Sequence, residues 1–383
     1  MLDGATAPGK MHIVIVQPTP NSTTFGWESG LEALGHQVTL VTKSKKLQFG
    51  GRPGAHIVVL PDRRVPALME RALRRVPFGL DTWPARSQVR SMIRGLHPDL
   101  VLIKADAWRN IVIAMVVRRM GIRTCIWQEK LPPLSRRWRL LRRLGLLPST
   151  AFTALDSRPG GVGEPESESR LPRISYSAPT WQGDESETPE RTDSSVRVLV
   201  VASFKNHVVK RQWWVLEAAA AAGLLDGRMR FTFMGYGNAG HWGYRRTQEL
   251  VDRLSIQHLV DFEFGVDHAG MKHVYDRHDV IVLPSKREQF GMTVVEAMSR
   301  VRPVIISDAV GAIGCVIPER TGLIFPVNDQ SALSEALRVC IEEPERLRDM
   351  GRLAGEFAEQ HLSSRGVAQQ ILNLAFAGDV DGR

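Results

Sequence analysis

The sequence is poor in cysteine, in aromatic residues and in long apolar runs. Its 383 residues include three cysteines, Cys125, Cys315 and Cys340, and 7% are aromatic. Three scattered cysteines make neither a disulfide framework nor a zinc-binding spacing, so we expect core residues of a protein from a reducing compartment. No run reaches the ~18 apolar residues of a membrane span. Residues 1–10 lack the apolar segment of a signal peptide, and a cytoplasmic location is expected.

The charge of the chain and the motifs it lacks limit the kinds of molecule that the protein is expected to bind. The net charge is +9 and the pI about 9.8, which favours acidic partners such as phosphate-bearing substrates or an anionic membrane surface. The basic residues do not alternate with aromatic ones as in a nucleic-acid motif, so no nucleic-acid partner is expected. His268, His273 and His278 are five residues apart, which spreads them around a helix and forms no metal-binding face.

Strands and helices alternate along the chain, and this pattern occurs twice. In the first half, apolar runs at His12–Val16, Val38–Val41 and Asp99–Ile103 predict strands of a parallel α/β layer. A second such series begins at Val196–Ala202. Between the two lies Gln182–Ser195, which is polar, acidic and without apolar periodicity. We therefore predict an amino-terminal domain over 1–180, a linker over 181–195 and a carboxyl-terminal domain over 196–383.

The stretch Ser285–Glu296 combines two carboxylates with a helix start. The apolar run Val280–Leu283 predicts a buried strand that ends before Pro284. Glu288 follows on a loop, and Gly291 opens a helical pattern that contains Glu296. The N–H groups and the positive dipole end of a helix start favour an anion. Two carboxylates around an anion pocket suit a ligand with hydroxyls and phosphates, such as a nucleotide sugar.

This stretch resembles the E-x7-E motif of retaining GT-B glycosyltransferases. Glu288 and Glu296 have seven residues between them, and Phe290-Gly291 lies inside. The sequence Gly322–Pro326 also resembles the corresponding sequence in the family called glycosyl transferases group 1. The resemblance to this family extends over Val196–Leu337. It implies the α/β GT-B fold, in which two Rossmann-like domains face each other across a cleft. The carboxyl-terminal domain would bind the donor and the amino-terminal domain the acceptor, with the last helix crossing back to the first domain.

The resemblance also implies roles for individual residues. Glu288 would bind the sugar hydroxyls, Glu296 the ribose hydroxyls, and Lys210 the leaving phosphate, which makes Glu288 and Lys210 the catalytic candidates. The backbone of Gly291, Met292 and Thr293 would face the diphosphate. Ser203-Phe204 replaces the family's Gly-Arg, so Lys205 or Arg211 is the candidate for the missing cation. The other donor-binding candidates are Phe290, Gly265 and Val266. Neither a cofactor nor a metal is expected, because the cations and the helix terminus supply positive charge.

On the acceptor side the resemblance is looser. Gly26 is predicted in a loop after the first strand, where the family carries a glycine-bearing loop that faces the cleft. Gln128 and Glu129 follow a strand near the place where many members carry a histidine. For both segments a plain connection or an exposed loop is an equally open interpretation.

Two other motifs allow different functions. Leu134–Gly145 is a short amphipathic helix with arginines on one face, which suits a surface helix packed on the core or peripheral contact with a membrane. Gly235–Gly240 matches G-x-G-x-x-G, with Asp261 about twenty residues later. An NAD site is disfavoured, because the preceding strand is not the first of its domain and the next helix starts late.

The sequence therefore predicts a retaining glycosyltransferase. It would move a hexosyl-type sugar from a nucleotide-diphosphate sugar to a glycan, a lipid-linked sugar or a small molecule. Two alternatives stay open. One is a nucleotide-sugar 2-epimerase on the same fold. The other is a non-catalytic relative that binds sugar nucleotides.

Overall fold

A computed structural model describes most of the chain, and its helices and strands belong to two compact units. The described residues are 9–17, 22–43, 55–60, 63–64, 82–104, 108–128, 150–153, 194–205, 207–267, 270–288 and 290–376. The first unit holds the described residues up to Thr153 together with Ser364–Phe376, and the second holds those from 194 to 363. The predicted amphipathic helix 134–145 and most of the predicted linker lie outside the described residues.

The first unit contains a parallel six-stranded sheet. The strands are β1 (His12–Val16), β2 (Gln37–Thr42), β3 (Ile57–Val59), β6 (Leu100–Lys104), β7 (Arg123–Gln128) and β8 (Thr150–Thr153), in the order β3-β2-β1-β6-β7-β8. A separate antiparallel pair joins β4 (Arg63–Arg64) to β5 (Thr82–Trp83). The helices are α1 (Ser22–Ala33), α2 (Arg86–Leu96) and α3 (Trp108–Arg119). The central strands are apolar because they are covered on both faces, as in a parallel α/β sheet.

Helix α1 corrects one prediction from the sequence. Gly26 was expected in a loop, but α1 begins at Ser22, so Gly26 is buried inside the helix. Asn21 and Ser22 are residue types that commonly begin a helix, and no breaker follows them before Gly26. The glycine therefore interrupts the helical pattern without ending it.

The last helix packs on the first unit. Helix α11 (Ser364–Phe376) contacts α1, and Arg123 at the start of β7 donates a hydrogen bond to the Ala375 carbonyl at 3.1 Å. A Cβ atom on Gly30 would lie 1.9 Å from the Ser364 carbonyl oxygen, so glycine is what allows the two helices to approach so closely.

The second unit repeats the architecture. Its strands are β9 (Val196–Val201), β10 (Met229–Gly235), β11 (Val260–Phe264), β12 (Val280–Leu283), β13 (Val304–Ser307) and β14 (Gly322–Phe325), in the order β11-β10-β9-β12-β13-β14. Its helices are α4 (His207–Lys210), α5 (Trp214–Ala221), α6 (Trp242–Leu254), α7 (Met271–Asp276), α8 (Met292–Ser299), α9 (Gln330–Glu342) and α10 (Pro344–Phe357). Short 3₁₀ turns at Gln257–Leu259 and Gly311–Cys315 and a π-turn at Ala358–Leu362 complete it.

Apolar strand residues build the core of this unit. Strand β12 is buried along its whole length, as its continuous apolar run predicts. Its neighbours in the sheet are β9 and β13. Among the described residues, no helix is both long and apolar enough to span a bilayer.

Candidate active site

The strand order of the second unit reverses direction between β9 and β12. From β9 the chain proceeds outward to β10 and β11, and it then returns to β12 on the other side of β9. Such a reversal opens a crevice beyond the carboxyl ends of the two central strands, where ligands of open α/β sheets bind. Lys210 ends α4, which follows β9, and Glu288 lies in the loop after β12, so the two catalytic candidates come from the connections that flank this position.

The backbone of Glu288 is fixed by the neighbouring loop. Its N–H donates to the Ala309 carbonyl, and its carbonyl accepts from the Gly311 N–H, each at 3.1 Å. These two bonds form an isolated parallel bridge between Glu288 and Val310. Three residues before Glu288, the Ser285 carbonyl accepts a hydrogen bond from the hydroxyl of Ser307, the last residue of β13, at 2.5 Å. The loop after β12 is therefore held against the loop after β13, and the Glu288 carboxylate projects from a fixed point.

Lys210 and Glu288 form an ion pair. The Lys210 ammonium contacts Glu288 Oε2, and the two side chains are 20% and 17% exposed. Burial lowers the pKa of Lys210 from 10.5 to about 8, and the negative charge of Glu288 acts in the opposite direction. Helix α4, which ends in Lys210, is tied to the same loop by a 2.7 Å bond from the Lys286 N–H to the Val209 carbonyl.

Gly291 directly precedes α8 and has a backbone conformation that favours glycine. Its φ is +96°, and a Cβ atom there would lie 3.0 Å from Val310 Cγ1 and 3.3 Å from Glu288 Cγ. Met292 and Thr293 form the first turn of α8, as predicted from the sequence. Phe290 is buried, and its carbonyl accepts from the Ala312 N–H at 2.6 Å. The sharp turn thus sets the start of α8 next to the Glu288 side chain.

Glu296 has a hydrogen-bond partner that the sequence analysis missed. The hydroxyl of Tyr275, which is fully buried on α7, donates to Glu296 Oε2 at 2.6 Å. Burial and the charge of Glu296 both raise the pKa of Tyr275 well above its usual value, so the phenol stays a donor. The partners are 21 positions apart and on different helices, and no periodicity in the sequence connects them.

The position of the family arginine and the neighbouring Lys205 have different environments in the structure. Phe204 fills the place of the family arginine and is buried beside the rings of Tyr244 and Phe264, so that position offers no cation. Lys205 is exposed, and its ammonium lies 4.5 Å from the centre of the Tyr236 ring.

Arg211 is half-buried in the second unit, and its guanidinium already has partners. It stacks on Trp214 at 4.2 Å and donates to the Pro284 carbonyl at 3.1 Å and to Asn328 Oδ1 at 2.8 Å. Burial lowers the pKa of Arg211 from its usual value. The arginine that follows Lys210 in the sequence therefore connects loops of the sheet edge.

The other predicted site residues are at strand ends. Gly265 follows β11 with φ +72° and is exposed, and Val266 beside it is half-buried. Gln128 is the last residue of β7, but its side chain and all of Glu129 lie outside the described residues. In the described part of the chain, no three His, Cys, Asp or Glu side chains cluster as metal ligands.

Two glycines of the glycine-rich turn at the end of β10 are required by the local backbone structure. A Cβ atom on Gly235 would lie 1.8 Å from the Ala202 carbonyl oxygen, and Gly237 has φ +140°. Asp261 is the second residue of β11, so it lies toward the amino end of the sheet, away from the turn. A dinucleotide fingerprint needs its acidic residue at the carboxyl edge, and Asp261 does not lie there.

Part of the chain matches a known family. Residues 185–356 match the family Glycosyl transferases group 1. A D-inositol 3-phosphate glycosyltransferase of Streptomyces avermitilis is 31% identical over 112 residues. That alignment covers 29% of this chain and 24% of the relative, so the chain matches about a quarter of the relative's length.

Solved structures share the fold over nearly the whole chain. A glycosyltransferase from Rickettsia africae has a TM-score of 0.71 at 14% identity, covering 98% of this chain and all of that one. Anabaena HepE in complex with UDP and glucose has a TM-score of 0.62 at 15% identity, covering 97% and 100%. The predicted α/β fold class and family resemblance are confirmed. The chain has the GT-B fold, and its residues 185–356 match the model of the Glycosyl transferases group 1 family.

Proposed function

We propose that this protein is a glycosyltransferase that takes a hexosyl-type sugar from a nucleotide-diphosphate sugar. The observation that carries this proposal is the Lys210–Glu288 ion pair, located at the β9/β12 crevice and beside the start of α8. A cation, a carboxylate and a helix start within one crevice match the three parts of such a donor, which are phosphate, sugar hydroxyls and a second phosphate.

In this proposal the chain stabilises the leaving group. When the bond between the anomeric carbon and the phosphate oxygen breaks, negative charge grows on the diphosphate. The Lys210 ammonium and the backbone N–H groups of Gly291, Met292 and Thr293 face that charge, which lowers the barrier electrostatically. Lys205 is the second candidate cation, and no metal or cofactor has a role in this scheme.

The two glutamates hold the neutral parts of the donor. Glu288 accepts hydrogen bonds from the sugar hydroxyls, and Glu296, oriented by Tyr275, accepts from the ribose hydroxyls. Phe290, Gly265 and Val266 complete the donor pocket. The first unit would bind the acceptor, a glycan, a lipid-linked sugar or a small molecule, with Gln128 and Glu129 as predicted contacts. Retention of configuration is proposed from the resemblance to the retaining family.

A binding screen tests the proposal. Nucleoside diphosphates and nucleotide sugars are added to the whole chain, and the melting temperature is followed, since a bound ligand raises it by mass action. At least one nucleotide should raise it in the wild type and in Arg348→Ala, a control that removes an exposed arginine of α10. Lys210→Ala should lose the shift. If no nucleotide shifts the wild type, the proposal fails.

Product analysis separates the proposal from its two alternatives. The donor that binds best is incubated with and without candidate acceptors, and the products are resolved by mass spectrometry and NMR. A transferase gives a new glycoside only with acceptor. Conversion of free UDP-GlcNAc to an epimer without acceptor would instead indicate a 2-epimerase. Equal background turnover by wild type and Glu288→Ala would indicate a non-catalytic relative.

A further inference from the structure

Arg211 has a backbone conformation that arginine rarely adopts. Its φ is +49°, the left-handed region that glycine enters without steric cost. The residue that directly follows Lys210 is thus an arginine at a turn where glycine would fit better. A strained residue persists where the surrounding structure over-determines it, and such residues cluster at functional sites.

The side chain of Arg211 connects three loops at the carboxyl edge of the second sheet. Its Nε donates to the Pro284 carbonyl at the end of β12, four residues before Glu288. Its Nη1 donates to Asn328 Oδ1, after β14, and the plane of the guanidinium stacks on Trp214 of α5. Asn328 has φ +69° itself, a conformation that asparagine tolerates. The planar fork of arginine suits such a multiple contact better than a lysine would.

The guanidinium does not offer a free edge to a ligand. Nε and Nη1 are engaged, and Nη2 is buried with no hydrogen-bond partner in the described part of the chain. A phosphate ligand needs donors that it can reach. The contacts of Arg211 are therefore those of a residue that fixes the position of its neighbour.

We propose that Arg211 is a positioning residue, which holds the Lys210 ammonium against Glu288 by joining the loop after β9 to the ends of β12 and β14. This rests on the proposed function for the role of Lys210, but the geometric claim concerns the free protein. In the described part of the chain, the turn is joined to the loops after β12 and β14 by the Val209–Lys286 backbone bond before Lys210 and by the Arg211 side chain after it. Without the Arg211 side chain, the segment after Lys210 keeps bonds within its own connection, such as that from Gln212 Nε2 to the Ser203 carbonyl.

Lysine reactivity tests the geometric claim directly. The intact chain is labelled briefly with acetic anhydride at a series of pH values, and mass spectrometry gives the labelling rates of Lys210 and of Lys272 on α7. Only the neutral amine reacts, so each pH profile is converted to the rate of the neutral form, and Lys210 is compared with Lys272 on that basis. In Arg211→Gly this relative rate should rise at least fivefold, because the amine leaves its ion pair and becomes accessible. Glycine fits φ +49°, so this variant should fold and melt within a few degrees of wild type.

Two further variants test how Arg211 acts. Arg211→Lys keeps the charge without the fork, and its labelling should resemble that of Arg211→Gly. Asn328→Ala should raise the Lys210 rate in the same direction, and the double variant Arg211→Gly/Asn328→Ala should label no faster than Arg211→Gly alone. Full rescue by lysine, or additive rates in the double variant, would overturn the proposal.

The same variants distinguish this inference from the proposed function. If Arg211 were itself a phosphate ligand, Arg211→Gly would lose affinity for nucleoside diphosphates while Lys210 labelled at the wild-type rate, and positioning would be refuted. If the wild type binds no nucleotide but labelling rises in Arg211→Gly, the proposed function fails and the positioning role holds. Unchanged labelling in every variant would refute the positioning role whatever the ligand.

Discussion

At the scale of single residues, Lys210 has two opposing influences on its charge. Burial favours the neutral amine, and Glu288 favours the ammonium. The proposed role requires the ammonium, because only a charged group stabilises a leaving diphosphate. A pKa of about 8 places the loss of that charge within an accessible pH range.

We therefore predict that nucleoside-diphosphate affinity falls as the pH rises through about 8. Between pH 7.5 and 9.5 the dissociation constant should increase roughly tenfold or more, since the protonated fraction falls by up to tenfold per pH unit. Lys210→Arg stays charged over this range and should show a flat profile. Titration calorimetry at several pH values measures both proteins, and a flat wild-type profile would contradict the role of Lys210.

As the pH rises, the contribution of Lys210 to folding stability changes in the opposite direction from its contribution to nucleotide affinity. The folded pKa of about 8 lies below the ordinary value of 10.5, so between these values the unfolded chain binds more protons than the folded one. The contribution of Lys210 to stability therefore rises through this window as pH increases.

Tyr275 is expected to matter for nucleotide binding although it lies behind Glu296. Tyr275→Phe removes the 2.6 Å bond to the carboxylate, and a hydrogen bond to a charged group contributes about 1.5–3 kcal/mol. Affinity for nucleoside diphosphates should fall about tenfold, and stability should fall by a similar free energy. Calorimetry and urea unfolding measure the two effects.

Tyr244→Phe is the matched control for Tyr275. It also removes one hydroxyl, which donates to Gln248 at 3.2 Å on the same helix. A neutral bond of this kind contributes about 1 kcal/mol, and nucleotide affinity should stay unchanged. If Tyr275→Phe binds nucleotides as tightly as Tyr244→Phe does, Tyr275 does not orient Glu296.

At the scale of secondary-structure elements, the start of α8 depends on one glycine. Gly291→Ala should destabilise the second unit more than Gly227→Ala, although both glycines have φ +96°. Both variants carry the left-handed strain of roughly 1–2 kcal/mol. Alanine at 291 also meets Val310 and Glu288, whereas nothing lies within 4 Å of a Cβ at 227.

Urea unfolding of the two variants should therefore differ by about 1 kcal/mol or more. Only Gly291→Ala should also weaken donor binding, because it displaces the Glu288 side chain. Equal stability losses in the two variants would show that the contacts around Gly291 adjust without cost.

The contact between α1 and α11 gives a second comparison of two glycines. Gly30→Ala should cost about 2 kcal/mol or more, because the new methyl group would clash with the backbone of Ser364. Gly95→Ala, in the exposed face of α2 with nothing nearby, should stabilise by about 0.5–1 kcal/mol through helix propensity. Thermal unfolding measures both, and a stable Gly30→Ala variant would contradict the close packing of α11.

The positions of the strands could be predicted from the sequence, but the start of α1 and one short helix could not. Runs such as Val280–Leu283 are apolar, short and bounded by breakers, and the structure places that strand at the predicted residues. The start of α1 was missed because polar residues before an apolar stretch fit both a loop and a helix start. The short helix His207–Lys210 was also missed, since four residues carry no periodicity.

Contacts between distant residues of the site could not be predicted. The pattern Glu288–Glu296 predicted both carboxylates, because its spacing is local in the sequence. The partners of those carboxylates, Lys210 and Tyr275, are on other elements and meet them only through the strand order β9-β12. Only the family resemblance pointed to Lys210, and nothing in the sequence pointed to Tyr275.

At the scale of the whole molecule, two Rossmann-like units share one chain that has the GT-B fold. The last helix belongs to the first unit, although the chain reaches it only after completing the second. A truncation before Ser364 should therefore destabilise the amino-terminal unit. The proposed donor site, by contrast, consists of residues of the second unit: Lys210, Glu288, Glu296 and the start of α8.

One titration tests the central claim most directly. The wild type and Lys210→Ala are titrated by calorimetry with a nucleoside diphosphate and with the matching nucleoside. We predict that the wild type binds the diphosphate on the order of a hundredfold more tightly, as expected for charge-assisted contacts to phosphate. Most of that preference should disappear in Lys210→Ala. Equal affinity of the wild type for the two ligands, or an undiminished preference in Lys210→Ala, would contradict a diphosphate site at Lys210 and Glu288.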